Sequence, residues 1–324
     1  MRYSLLSRFR GGLLGSWIAE NLDSTTYQWQ VGFPGKLPHR QKTQNLEKEL
    51  THTLPTISDW TQIGVCAGES LIRYGRLEVN DWMLEIDRTQ SSLIVFKGTA
   101  KSSETALATL PIALFFHDNP IRLRQHLLQA SRLWQSQPDA SSGVLAVALA
   151  IALALTEKLN PATLIPQILV ELGISQTPLV RKLEQVQTLV EQGADLETTL
   201  TQLRQEQGNQ GKQQSCSDTP IALAFYCFLT TPEDFRLAVT RAIRSNDQPQ
   251  TTAALTGALS GVYNSISGIP VGWRISRRCL TSGIQRLELS DRLFAVWSGV
   301  CNSSAAKGYN AIAVAAPGVI QPRS

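Results

Sequence analysis

The sequence predicts an all-α fold built as a single compact multi-helix domain, and three observations carry that prediction. Apolar residues recur at helical spacing in segment after segment, and no strand-type alternation of useful length appears. The chain has 324 residues, 43% of them apolar, which is enough for one large core. Between Thr251 and Ser265, Ala253, Gly257 and Gly261 recur every four residues and share one helix face. Glycine inside a helix costs about 1 kcal/mol relative to alanine. A row of small residues therefore signals two backbones in close approach, as at the centre of a bundle.

Taken in order, Leu5 to Leu22 reads as a first helix, with Gly11, Gly12 and Gly15 as further small residues. Residues 23–57 mix Pro34, Gly35, Pro38 and Pro55 with polar runs and lack periodicity, so a long mobile loop is expected. Ser58 or Asp59 then caps a helix running to about Tyr74, because a short side-chain oxygen accepts the orphan N–H groups of a first turn. Helices are expected over 79–88, 102–116, 121–134, 139–157, 161–172 and 178–191. A second mobile loop is expected over 202–217, rich in Gln, Gly and Asn. Helices over 220–229, 232–244, 251–265 and 289–301 complete the set. Pro249, just ahead of the glycine-bearing helix, suits a helix start, where a missing N–H costs little.

Composition excludes several classes of function. Charged residues make up 17% of the chain, and the excess of four positive charges includes no Lys/Arg block, so no nucleic acid is expected as a partner. An uncharged run, Ala140 to Thr156, is Ala-rich and short for a bilayer crossing; it reads as a helix buried on all sides, without membrane insertion. Cys66, Cys216, Cys227, Cys279 and Cys301 are odd in number and form no Cys-x-x-Cys pair, which suggests neither a disulfide framework nor a zinc site and points to the cytoplasm. The sequence has no G-x-S-x-G elbow, no Walker loop and no H-E-x-x-H.

Several motifs then fall in one order. Arg8-Phe9-Arg10-Gly11-Gly12-Leu13-Leu14-Gly15 opens the chain, Ser58-Asp59-Trp60-Thr61-Gln62 follows, and Asp234-Phe235 precedes the Gly257 helix and an Ile269-Pro270 to Trp273 tail. This series resembles the ADP-ribosylglycohydrolase family, in the manner of dinitrogenase reductase-activating glycohydrolases. The resemblance implies that family's all-α fold. It also implies a pair of magnesium ions, held by a T-D-D-T-Q motif and by the two aspartates and final threonine of G-G-D-T-D-T. In this chain those positions read differently. Ser58, Asp59, Trp60 and Thr61 stand in the first motif; Gln248 and Gln250 stand for the two aspartates of the second, and Thr251 for its final threonine. Ala19-Glu20 stands for a Gly-Asp pair, Tyr27 for a glutamate, and Ser102-Ser103-Glu104 for a Gly-Asn-Gly loop. Magnesium requires hard oxygen ligands, carboxylates above all. The expected metal ligands are therefore none, with Asp59 and Thr251 as residual positions.

Three readings follow from the resemblance. The first is a regulatory or scaffold module that has lost the di-magnesium site and hydrolase activity and acts through an unknown protein partner. The second is a metal-free binder of ADP-ribose or a related nucleotide, with Ser58, Trp60, Thr61, Tyr27, Gln248, Gln250 and Thr251 as the ligand-contacting set. The third is an active ADP-ribosyl-protein hydrolase using magnesium in an altered or single-metal site, with Asp59 and Glu20 as its acids. Trp60 either fills space vacated by metal or stacks on a base, and Asp59 is either a helix cap or a ligand. His39, His52, His117 and His126 fall on none of the motifs.

Overall fold

The computed structural model describes residues 3–22, 59–89, 100–134, 141–173, 177–208, 218–245, 248–275 and 279–300. Ser58, Tyr27, His39, His52 and the loop expected over 23–57 lie outside the described residues. Among those described, every regular element is helical. Helix α1 spans Leu5–Asn21, α2 Asp59–Tyr74 and α3 Val79–Thr89. Next come α4 (Ser102–Ala108), α5 (Leu110–Phe115), α6 (Pro120–Trp134), α7 (Ser141–Leu155) and α8 (Leu164–Leu172). Then α9 (Pro178–Glu191), α10 (Leu196–Gly208), α11 (Thr219–Thr230) and α12 (Phe235–Arg244) lead to α13 (Pro249–Gly268). The short α14 (Val271–Arg274) and the long α15 (Cys279–Trp297) close the described chain.

Helix α13 is the centre. Thr252 to Val262 are buried without interruption, and α1, α12, α11, α7 and α4 all pack on it. Its most extensive contact is with α1, and small residues on both sides explain it. A Cβ on Gly261 would strike the Gly11 carbonyl oxygen, and one on Gly257 would strike that of Gly15. The pairs 11/261 and 15/257 step in opposite directions, so the two helices run antiparallel, backbone against backbone. The close approach expected of the glycine row is met here, and its partner is the first helix.

Helix α7 has twelve buried positions, as its uncharged sequence requires. Arg8 closes its C-terminal end: Nη1–H donates to the Ala154 carbonyl at 2.8 Å, and Nη2 pairs with Glu157 at 3.1 Å. A cation there answers the orphan carbonyls and the helix dipole together. The tail of the central helix is anchored by Trp273, which is buried edge-on to Phe235 at 6.1 Å. Asp234 caps α12, its carboxylate accepting from Leu237 N–H at 2.9 Å.

The structure differs from the sequence expectations in three places. The helix expected over 102–116 is two, broken at Thr109, because Pro111 has no N–H to donate and its ring would clash with the carbonyl four residues back. The loop expected from 202 is helical through Gly208, with Leu203 fully buried and Leu196 and Leu200 packed on the core. The last helix begins at Cys279, ten residues ahead of the expected Leu289. Its buried stripe, Gly283, Arg286, Leu289, Ser290 and Leu293, carries an arginine that disguises the apolar period.

Candidate functional site

The antiparallel register brings the C-terminal end of α1 to the N-terminal end of α13, and the first turn of α2 lies against the same end of α1. Glu20, in the last turn of α1, is 5% exposed, and Thr61 Oγ1–H donates to its Oε2 at 2.7 Å. Helix α15 supplies a cation. Arg286 is 6% exposed, and its Nη2 donates to Gln62 Oε1 at 3.4 Å. Burial pushes the Arg286 guanidinium down to about 10, while the charges of Glu20 and Cys66 act to raise it. At neutral pH it stays protonated, so a fixed positive charge stands among Glu20, Thr61 and Gln62. Sequence reasoning missed Arg286; the one signal was its place on the apolar stripe of α15.

Trp60, beside Thr61, is 7% exposed. It meets Trp134 edge-on at 5.6 Å, and Trp134 meets Trp82 at 5.9 Å in turn. Trp82 fixes that row by donating its indole N–H to the Ile63 carbonyl at 3.0 Å. In this geometry Trp60 packs edge-on into a buried aromatic row, in keeping with an interior that leaves few voids. Asp59 begins α2; its side chain lies outside the described residues.

At the start of α13, Gln248 adopts the left-handed conformation (φ 43°, ψ 60°), an uncommon one for a residue other than glycine. Its side chain makes no cap, although its carbonyl accepts from Thr252 N–H at 2.9 Å. Gln248 and Thr251 are half-buried, and Gln250 is exposed. Ser102 and Ser103 are fully buried, and the Glu104 carboxylate accepts from the Lys101 N–H at 2.9 Å, so it is engaged at the start of α4. Thus the structure joins Glu20 to Thr61, sets Trp60 in the core beside them, and places the glutamines on the first turn of α13.

The described histidines belong elsewhere. His117 Nδ1–H donates to the Leu114 carbonyl at 2.7 Å, and its ring lies against Phe9 and Trp297. Burial lowers the pKa of both His117 and His126. Among the described residues, no three His, Cys, Asp or Glu side chains gather in a way that could hold a metal ion. No described helix is long and apolar enough to cross a membrane.

A wholly helical domain around a backbone-to-backbone helix pair, with polar side chains collected where those helices meet a third, defines the class. The sequence matches the ADP-ribosylglycohydrolase family model over residues 1–303, and the chain belongs to that family. Among solved structures, one described as an ADP-ribosylglycohydrolase-related protein complex matches with a TM-score of 0.58 at 16% identity, covering 90% of this chain and 97% of that one. At that identity the likeness is one of fold. No curated protein matches the sequence.

Proposed function

We propose that this chain is an ADP-ribosylglycohydrolase-fold protein that works without two-magnesium hydrolysis, as a regulatory or scaffold module engaging a protein partner in the cytoplasm. The observation that carries this reading is the buried guanidinium of Arg286, which acts electrostatically on Glu20. Like charges repel more strongly in a buried site than in water, and a dication doubles the effect of a single charge. A buried guanidinium acting on that carboxylate works against a further pair of cations beside it. The remaining positions support the same reading: Gln248 and Gln250 offer neutral amides, Glu104 is engaged at a helix start, and Trp60 is packed against Trp134.

The second reading, a metal-free binder of ADP-ribose, draws support from the first turn of α13. Exposed Gln250 and the half-buried Gln248 and Thr251 stand at the N-terminal end of a 20-residue helix, where N–H groups favour a phosphate. One experiment separates the readings: calorimetric titration of ADP-ribose with and without magnesium, beside a release assay on an ADP-ribosylated peptide. The scaffold reading expects neither binding nor turnover in either condition. Binding without magnesium replaces it with the nucleotide-binding reading. Turnover that requires magnesium and is lost in Glu20→Gln or Asp59→Asn refutes both.

A further inference from the structure

A small pocket with room of about 20 Å³ lies between α1, α2, α4, α5 and α15, with Ser16, Trp17, Thr61, Gly64, Arg286 and Leu289 among its lining residues. That is room for one water-sized molecule, which needs roughly 10–15 Å³ by this measure. Its lining is mainly apolar, with Ser16, Thr61 and Arg286 as the polar side chains among it. Ser16 is 2% exposed and Trp17 4%, and among the described residues neither the Ser16 hydroxyl nor the Trp17 indole N–H has a hydrogen-bond partner. Arg286 adds a guanidinium with five N–H donors, reaching Gln62 with Nη2 at 3.4 Å. Thr61 gives its hydroxyl proton to Glu20 and so offers its own lone pairs as acceptors.

The donors call for an acceptor, and the space admits one small molecule. An anion would accept from all of them but would sit one residue from the Glu20 carboxylate, which repels it. A water molecule both accepts and donates. We propose that the cavity holds one structural water, which accepts from the Trp17 indole N–H and the Arg286 guanidinium and donates to the Ser16 and Thr61 hydroxyls. It extends the Thr61–Glu20 hydrogen bond into a continuous buried chain reaching α15. This inference is independent of whether the protein binds a nucleotide or a partner.

The test uses the full-length protein with its tryptophans labelled with nitrogen-15, the Trp17 indole signal being assigned by its loss in Trp17→Phe. A rotating-frame cross-peak between that indole proton and long-lived water is expected, with the indole shift unchanged when chloride is replaced by fluoride or acetate. The variant Ser16→Ala provides a second reading. With the water present, its thermal midpoint falls and the Trp17 indole signal shifts, because one of the water's partners is gone. A missing cross-peak, together with a raised Ser16→Ala midpoint, means a dry cavity whose orphan hydroxyl was a burden, and overturns the proposal. An indole shift that follows chloride concentration means an anion, and overturns it equally.

Discussion

Replacing Gly257 with alanine tests the central packing directly. The added methyl carbon would overlap the Gly15 carbonyl oxygen, and would lie 2.9 Å from the Gly15 carbonyl carbon and 2.6 Å from Ala19 Cβ. Carbon atoms pack best at about 3.5–4.0 Å, so relief requires α1 and α13 to move apart by about 1 Å. Two of the obstructing atoms are backbone and cannot rotate away. Separation also loosens the 11/261 crossing one turn along. Overpacking in a core costs about 1–3 kcal/mol, and more where the backbone must shift; alanine returns about 1 kcal/mol of helix propensity. With the cost at its upper end, the expected net loss is about 2 kcal/mol. At about 2.1 cal/mol/K per residue, a 324-residue chain shifts by about 1.5 °C per kcal/mol, giving a fall of about 3 °C by calorimetry. Gly272→Ala is the matched control, since nothing lies within 4 Å of its Cβ position. If Gly257→Ala melts within 1 °C of Gly272→Ala, the backbone contact is not what holds this pair.

Three further outcomes are expected. Ser265 lies inside α13 with φ 59° and ψ −178°, a region open essentially to glycine alone, so Ser265→Gly stabilises by about 1 kcal/mol in urea titration; destabilisation would mean that the Ser265 hydroxyl, which accepts from Ser267 N–H at 3.2 Å, outweighs the strain. Arg286→Met lowers stability in urea titration by removing a buried guanidinium that acts electrostatically on Glu20 and reaches Gln62 at 3.4 Å, and combining it with Glu20→Gln costs less than the sum of the two; strictly additive losses would refute the coupling. His117 and His126 have native pKa values lowered by burial from the ordinary 6.5. The unfolded chain therefore takes up protons first, and stability is full above 6.5 and falls as the pH drops below it. Urea midpoints between pH 7.5 and 5.5 should show that decline, reduced in His117→Phe; an unchanged slope would count against His117 as a contributor.

The helices that announced themselves did so through patterns of their own side chains. The row Ala253, Gly257, Gly261 marked α13 as a close-packed helix because glycine at that spacing has no other use. Gly11 and Gly15 marked α1 in the same way, although the register joining them is set by backbone surfaces that spacing alone does not describe. Leu196, Leu200 and Leu203 form a stripe, but the Gln and Gly residues from Gln202 onward made the second half of α10 look like a loop. Arg286 was invisible for the opposite reason: one arginine on an apolar stripe looks like a break in the helix until Glu20 and Gln62 are seen beside it. The Glu20–Thr61 contact joins residues 41 positions apart, and it exists only because α1 and α2 meet at that end of the bundle.

The antiparallel glycine contact also governs what can move. Two helices touching through carbonyl oxygens and α-carbons have no side-chain layer to shear, so α1 and α13 behave as a single strut. Glu20 rides at one end of that strut together with the first turn of α13, and their separation is fixed by its construction. Any rearrangement around a visitor must come from the other wall, where Trp60 and Thr61 open α2. The kink at Ser265 lies at the far end of the strut, out of reach of this site. Of the walls around Glu20, the one made by α1 and α13 is therefore held at a set spacing by its own backbone contact.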